Sequence, residues 1–145
     1  MEAEDLLYAS GAPTAKFKSI GDFVKGVVCA KPETKQSTDI DGKPKFYDDG
    51  QPMWDVIITL QTDERDDAIS DDDGRRRVYV SGKMLGAVKA ALREAGARGS
   101  IEGGTLVIRY VGDGEATRKG YNAPKLYEAK FKVGKPGPAV DPLDL

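Results

Sequence analysis

The chain has 145 residues, of which 39% are hydrophobic and 32% are charged. This length and balance predict one soluble globular domain with a modest core. No histidine is present and Cys29 is the single cysteine, which excludes Ser-His-Asp and Cys-His catalysis and the usual zinc ligand sets. A lone cysteine forms no internal disulfide, and no apolar run is long enough to span a membrane. A cytoplasmic location is therefore expected.

The net charge of −2 hides a strong asymmetry along the chain. Residues 1–74 hold 8 basic and 17 acidic residues, a net charge of −9, whereas residues 75–135 hold 14 basic and 5 acidic residues, a net charge of +9. The sign changes inside the stretch DDDGRRR at 71–77. Two interpretations follow: the halves neutralise each other in the fold, or the basic half forms a surface for a polyanion.

The N-terminal half is predicted to hold two strands. Residues 1–16 form an arm, and 17–31 form a long strand rich in β-branched residues, with a bend at Gly26 because glycine inside a strand often marks one. Residues 32–52 are polar and contain several glycines and prolines, so they are predicted to form a loop. The alternation of MWDVIITLQT predicts the second strand at 53–62.

The C-terminal half is predicted to hold three strands and one helix. An acidic loop at 63–74 leads into a strand at 75–81. Apolar residues at helical spacing predict a helix at 82–96. The segments at 105–111 and 125–133 alternate as the last two strands.

This order predicts an all-β fold with one helix, a five-stranded OB-fold-like barrel with the helix between strands 3 and 4. In that fold the binding face and the loops joining strands 1–2 and 4–5 contact oligonucleotides. The predicted domain covers 17–133. Residues 134–145 are rich in proline and have no core pattern, so a flexible C-terminal tail is expected.

Cations and aromatic rings recur in the regions where such a barrel binds nucleic acid. Single strands are bound by cations that contact phosphates and by aromatic faces that stack on bases. The predicted nucleic-acid-binding residues are Lys35, Lys43, Lys45, Phe46, Tyr47, Arg75, Arg77, Tyr79, Arg109, Arg118, Lys119, Tyr121 and Lys125.

Two parts of this pattern have alternative interpretations. The run Arg75–Arg77 is predicted to begin a strand that contacts phosphates, and a solvated barrel wall is the alternative. Asp71–Asp73 belong to the preceding loop, which is expected to fold away or to compete for the basic surface. Trp54 shares a face with Val56 and Ile58, which favours a core position over a stacking platform.

The run SIGDFVKGVVCAK resembles the first strand of nucleic-acid-binding OB barrels, through Gly21, Asp22, Val24, Gly26 and Val28. The pattern from about residue 14 to 133 is similar to small single-stranded DNA-binding proteins, particularly those encoded by bacteriophages. The resemblance implies non-catalytic binding of single-stranded DNA with little sequence preference, protection of strands in replication or recombination, and location in the host cytoplasm.

Two rival hypotheses remain at this point. One is a barrel module that binds another protein. The other is a metal-dependent nuclease built on scattered carboxylates such as Asp22 and Asp55. The leading hypothesis expects no enzymatic activity, no cofactor, no metal and no membrane. It expects single-stranded DNA as partner, with replication or recombination proteins recruited through the tail, and it leaves a homodimer open.

Overall fold

The computed structural model describes residues 12–115 and 123–134. These residues form a mostly antiparallel β-structure with one helix, as the sequence predicts. The strands are β1 (Phe23–Val28), β2 (Glu33–Gln36), β3 (Trp54–Gln61), β4 (Arg75–Val80), β5 (Thr105–Asp113) and β6 (Lys125–Lys132), and the helix α1 (Gly82–Glu94) lies between β4 and β5. No helix among the described residues is long and apolar enough to cross a membrane.

The strands form one antiparallel sheet in the order β2-β3-β1-β5-β6, and β4 pairs with β3. β1 and β2 pair with successive stretches of one edge of β3, so that Val27 and Val28 lie opposite Gln61 and Leu60. The other edge of β3 pairs with β4. Within the described residues β4 and β6 do not pair, and the sheet is open.

The predicted loop at 32–52 contains a strand, which corrects the sequence prediction. β2 pairs with the first half of β3, with Thr34 opposite Val56. Further along, isolated bridges join Thr38 to Pro44 and Phe46 to Pro52. The sequence ETKQ of β2 is polar because both of its faces are largely exposed. Hydrophobic periodicity therefore could not reveal this strand.

The first strand is shorter than predicted because a turn precedes it. The Asp22 carboxylate accepts hydrogen bonds from the backbone N–H groups of Lys18 and Ser19, each at 2.9 Å. Gly21 has a φ of 102°, a conformation that favours glycine. These features hold residues 18–22 out of the strand, and β1 begins at Phe23.

The residues before this turn cover the outer edge of β4. The backbone N–H of Arg77 donates to the carbonyl oxygen of Pro13, and the N–H of Ala15 donates to that of Arg77, both at 2.8 Å. The Phe17 side chain is buried in the core. The segment predicted to be an arm thus packs on the sheet from Pro13 onward, and its residues 1–11 lie outside the described residues.

The core lies between the inward row of each strand and α1. Met84, Val88 and Ala91 form the buried stripe of the helix, which packs mainly against β6. Burying an aliphatic side chain of this kind stabilises the fold by about 1.5–3 kcal/mol. The strand residues of this cluster are Val24, Val28, Ile58, Leu60, Val78, Val80, Leu106, Ile108 and Tyr110.

Candidate functional site

The side of the sheet opposite the core is called the outer face here. Successive side chains of a strand point to opposite faces, so residues between the buried ones lie on the outer face. Cross-strand pairing then brings residues of different strands together on it. Its members are Phe23, Lys25 and Val27 of β1, Asp55, the buried Ile57, Thr59 and Gln61 of β3, Arg75, Arg77 and Tyr79 of β4, Thr105, Val107 and Arg109 of β5, and Glu128, Lys130 and Lys132 of β6.

Arg109 and Phe23 form a cation–aromatic pair on the outer face. They lie directly opposite each other on β5 and β1, and the guanidinium carbon of Arg109 is 5.3 Å from the centre of the Phe23 ring. The Phe23 residue is 52% exposed, although large apolar side chains are usually buried. An exposed ring beside a guanidinium can stack on a planar ligand and leave the cation available for an anion.

Arg77 and Tyr79 form a second pair on β4. The guanidinium carbon of Arg77 is 5.6 Å from the centre of the Tyr79 ring. Pro13 and Ala15 hydrogen bond to the Arg77 backbone, which fixes this point of the strand. Four of the predicted site residues, namely Arg75, Arg77, Tyr79 and Arg109, therefore share one face.

The three consecutive arginines do not act alike, which corrects the prediction for Arg76. Arg75 and Arg77 lie on the outer face, whereas Arg76 points inward opposite Leu60. Its side chain is 7% exposed, and Nη2 lies 2.8 Å from Oδ2 of Asp72. The physical reason is the two-residue period of a strand, which sends the middle of three arginines to the opposite face.

Two aspartates of the acidic loop, Asp72 and Asp73, make different contacts. The Asp72 carboxylate accepts hydrogen bonds from Arg76 and from the backbone N–H groups of Gly74 and Asp66. The hydrogen bond from Arg76, followed by that from Gly74, holds the pKa of Asp72 well below its usual range. Asp73 instead pairs with Arg75 at 2.7 Å, and both side chains are about half exposed. The loop thus folds onto the start of β4.

The long connection from 29 to 53, called the β1–β3 arm here, holds five predicted site residues. Lys35 lies opposite Asp55 on β3. Phe46 and Tyr47 are more than half exposed, and the two remaining site residues, Lys43 and Lys45, are exposed as well. The arm therefore presents rings and cations in the same short stretch.

Acidic residues shape the turns of this arm. The Asp39 carboxylate accepts hydrogen bonds from the backbone N–H groups of Asp41 and Lys43, each at 2.9 Å. Asp49 accepts one from Gln51, also at 2.9 Å. Such bonds from aspartate to nearby N–H groups are typical of turns. These two acids have a structural role next to the exposed cations.

Trp54 is 50% exposed, so its predicted core position is wrong. It does belong to the inward row of β3, but β4 ends at Val80, which lies opposite Val56. Trp54 therefore extends past the end of β4, and only Gln36 of β2 lies opposite it. The periodicity gives the correct row, but the sequence does not show where the neighbouring strand ends.

Lys125 is held by contacts within the fold. Its Nζ donates to the carbonyl oxygen of Phe17 at 2.5 Å and lies 5.0 Å from the centre of the Tyr110 ring. The Tyr110 hydroxyl donates to the Asp113 carboxylate, which together with burial raises the pKa of Tyr110 to about 12. The hydrogen bond from Lys125 connects β6 to the segment around Phe17. The other predicted residues of this region, Arg118, Lys119 and Tyr121, lie outside the described residues.

The two carboxylates considered for catalysis lie at opposite ends of the sheet. Asp22 precedes β1, and Asp55 lies near the start of β3, which runs antiparallel to β1. Hydrogen bonds from Ser19 and Lys18 lower the pKa of Asp22, and Asp55 accepts a hydrogen bond from the Ser37 hydroxyl at 2.5 Å. In residues 12–115 and 123–134, no three carboxylate or cysteine side chains are grouped to hold a metal ion.

The sequence interpretation missed several members of the outer face. Phe23, Lys25 and Lys132 were not among the predicted site residues. The signal was present in β1, where buried Val24 and Val28 place Phe23 and Lys25 on the opposite face. No such signal indicates which exposed residues on separate strands become neighbours, because register is set by tertiary pairing.

No protein-family model, curated protein or solved structure matches this chain.

Proposed function

We propose that this chain is a non-catalytic protein that binds single-stranded DNA with little sequence preference, and that its fold is a variant of the OB-fold. The observation that carries the proposal is the pair of arginine–aromatic contacts, Arg109 with Phe23 and Arg77 with Tyr79, on one face of the sheet. Phosphates would bind the guanidinium groups, and bases would stack on the rings.

The strand connections support the OB-fold part of the proposal. β1 and β2 together act as one bent strand along β3, and β1 also pairs with β5. With β2 joined to β1, the sheet has five strands in the order β4-β3-β1-β5-β6, and α1 follows β4 in the chain. A partly open five-stranded barrel with this arrangement is typical of OB-folds.

The charge distribution on the outer face supports an anionic ligand. Lys25, Arg77, Arg109 and Lys132 have no carboxylate within salt-bridge distance among residues 12–115 and 123–134, and Glu128, which lies opposite Arg109 in the register, leaves an excess of cations on this face. Unpaired cations on one face attract a polyanion by long-range electrostatics. Stacking and phosphate contacts are tolerant of sequence, which supports binding with little sequence preference.

The exposed rings support a single-stranded ligand over a duplex. Aromatic side chains reach the faces of bases only when the bases are unstacked, as they are in a single strand. The β1–β3 arm presents two further exposed rings, Phe46 and Tyr47. A protein that coats unpaired bases in this way would protect strands during replication or recombination.

A gel-shift experiment tests the proposal. Single-stranded and duplex DNA of the same sequence are mixed with the protein, each with and without magnesium. A shift that favours the single strand, with the DNA intact, is the expected result. No shift would favour the alternative of a barrel that binds another protein, and strands shortened only with magnesium would indicate a nuclease.

A further inference from the structure

β1 keeps a free edge over its first half. It pairs with β5 from Phe23 to Val27, but it meets β3 only at Val27 and Val28. Within residues 12–115 and 123–134, no strand pairs with the β3-side edge of β1 before Val27. A gap therefore opens between the start of β1 and the residues that follow β3.

The backbone groups of Lys25 point into this gap. The N–H of Val28 donates to the carbonyl oxygen of Gly104, and the N–H of Tyr110 donates to that of Asp22, so the even-numbered residues bond toward β5. In an antiparallel pair the odd-numbered residues then direct their backbone groups to the other side. The N–H donor and the carbonyl acceptor of Lys25 therefore lie side by side on the free edge, with no hydrogen-bond partner among the described residues.

The gap forms a groove of about 760 Å³, lined on one side by residues of the outer face, namely Phe23, Lys25, Val27, Gln61 and Thr105. Binding sites for small planar molecules are typically about 300–1,000 Å³ in volume. The exposed ring of Phe23 belongs both to this lining and to the contact with Arg109. The groove is therefore continuous with the cation–aromatic pair of the outer face.

Charges of both signs line the groove and nearly balance. Its cations are Lys16 and Lys25, and its carboxylates are Asp22, Asp63 and Glu64. Asp22 is engaged by two backbone N–H groups of the turn before β1, which leaves two charges of each sign. The neighbouring cavity on the inner side is lined by three cations and three carboxylates. Neither cavity selects a strongly charged ligand, so the groove suits an uncharged polar group.

A nucleobase is an uncharged polar group whose edge matches the backbone of Lys25. On the Watson–Crick edge of each of the four bases, a hydrogen-bond donor lies next to an acceptor, and single strands expose this edge. One N–H and one carbonyl oxygen of a strand residue can therefore pair with any of the bases. In a duplex the same edge is already paired, so only an unpaired base can make these bonds.

We propose that the groove receives one unpaired base of the bound single strand, whose Watson–Crick edge hydrogen bonds to the backbone N–H and carbonyl oxygen of Lys25. The ring of Phe23 covers one face of this base, and Arg109 beside it contacts an adjacent phosphate. This inference rests on the proposed function and explains how the protein rejects duplex DNA without reading the sequence.

The test compares two single strands whose bases differ only in the position of one methyl group. Thymine carries the methyl group at C5, away from the Watson–Crick edge, whereas its isomer 3-methyluracil carries it at N3, where it blocks that edge. Short homopolymers of each are titrated with the full chain by fluorescence anisotropy. The 3-methyluracil strand should bind about fivefold or more weakly, as expected for the loss of a bidentate contact to a base. The salt dependence of both should be equal, because the phosphate contacts are unchanged.

Hydrogen exchange and two variants locate the contact. A saturating thymine homopolymer should slow exchange of the Lys25 N–H by about tenfold or more, because this group becomes hydrogen bonded, whereas the 3-methyluracil strand should not. Lys25→Ala and Lys25→Pro both remove the ammonium group, but only proline removes the N–H, a change that a free strand edge tolerates. Lys25→Ala should keep the preference for thymine over 3-methyluracil, and Lys25→Pro should lose it.

The outcomes separate this inference from the proposed function. Equal affinity for the two homopolymers, or equal protection of the Lys25 N–H by both, would overturn the inference and leave the proposed function intact. If neither homopolymer binds, both are wrong. The same preference in Lys25→Ala and Lys25→Pro would also overturn the backbone contact. If Lys25→Pro does not fold, the titrations and the exchange of the wild-type chain decide.

Discussion

Asp72 and Arg76 form a two-pronged ion pair across the start of β4. Oδ1 and Oδ2 of Asp72 each accept a hydrogen bond from a terminal nitrogen of Arg76 at 2.8 Å, and the two side chains are 4% and 7% exposed. This geometry joins the acidic loop to the core side of the sheet. It explains part of the sharp charge separation in DDDGRRR, because one charge of each sign is used to fix the loop.

Asp72→Asn should lower the melting temperature at neutral pH, because it removes the charge that Arg76 faces in a nearly buried position. The pKa of Asp72 is lowered in the folded state. Its contribution to stability is therefore complete above the ordinary aspartate value of 3.8 and is lost as the pH falls from there through the folded-state pKa. Thermal melts between pH 7 and pH 2 measure this.

As the pH falls below 4, the melting temperature of Asp72→Asn should fall less than that of the wild type. Asp67→Asn is the control, since Asp67 lies in the same loop and its carboxylate accepts no described hydrogen bond. It should melt like the wild type. An unchanged melting temperature for Asp72→Asn would mean that the ion pair does not stabilise the loop.

Arg77→Ala and Arg109→Ala should each weaken binding of single-stranded DNA without changing the melting temperature. Each phosphate neutralised on a single strand contributes about −0.7 to the slope of log K against log salt. We expect a wild-type slope of about −3 to −4, from roughly four to six engaged cations, and a slope shallower by about 0.7 in each variant. Fluorescence anisotropy at several salt concentrations measures both quantities.

Lys89→Ala is the matched control for these two variants. Lys89 is an exposed cation of α1, and the helix lies on the core side of the sheet. Its loss should leave the slope unchanged. Equal effects of Lys89→Ala and Arg77→Ala would indicate attraction by overall charge rather than by the outer face.

Trp54→Ala should destabilise the fold less than the truncation of a fully buried residue, because half of Trp54 is already in solvent. Because Trp54 belongs to the inward row of β3 and the proposed DNA contacts lie on the outer face, the variant should bind single strands as tightly as the wild type. Chemical denaturation and anisotropy measure the two properties. Leu106→Ala, at a fully buried position, should instead cost about 2–5 kcal/mol of stability.

Gly26→Ala should destabilise the fold. A Cβ at this position would lie 2.5 Å from the carbonyl oxygen of Gln61, so the contact between β1 and β3 would have to open, at a cost of about 1–3 kcal/mol. Gly86→Ala is the matched control, because a Cβ there meets nothing within 4 Å. Alanine inside a helix should stabilise it by about 0.5–1 kcal/mol. Urea denaturation of both variants measures the two changes, and equal behaviour would contradict the close approach at Gly26.

The sequence predicts the parts of this fold that depend on local periodicity. Val78 and Val80 in β4 and Met84 and Val88 in α1 are buried as their spacing indicates. β2 could not be predicted, because its four residues are polar and its existence depends on the edge of β3. The exposure of Trp54 likewise depends on where β4 ends, which is a tertiary property.

The candidate site was predictable only in part for the same reason. The alternation of β4 places Arg77 and Tyr79 on one face. The guanidinium of Arg77 contacts the ring of Tyr79 two residues further along the same strand, so this pair could be predicted from the local sequence. The contact of Arg109 with Phe23 depends on the register between β5 and β1, and no short stretch of sequence contains it. The pairing of Asp72 with Arg76 requires the acidic loop to fold back onto the start of β4, and the sequence does not show how that loop folds.

The most direct measurement of the central claim is a map of amide chemical-shift changes when a short single-stranded DNA is added to the isotope-labelled protein. The account predicts changes centred on Phe23, Arg77, Tyr79 and Arg109 and extending into the β1–β3 arm, with α1 unaffected. Changes centred on α1, or no changes at a DNA concentration that saturates the gel shift, would contradict binding by the outer face.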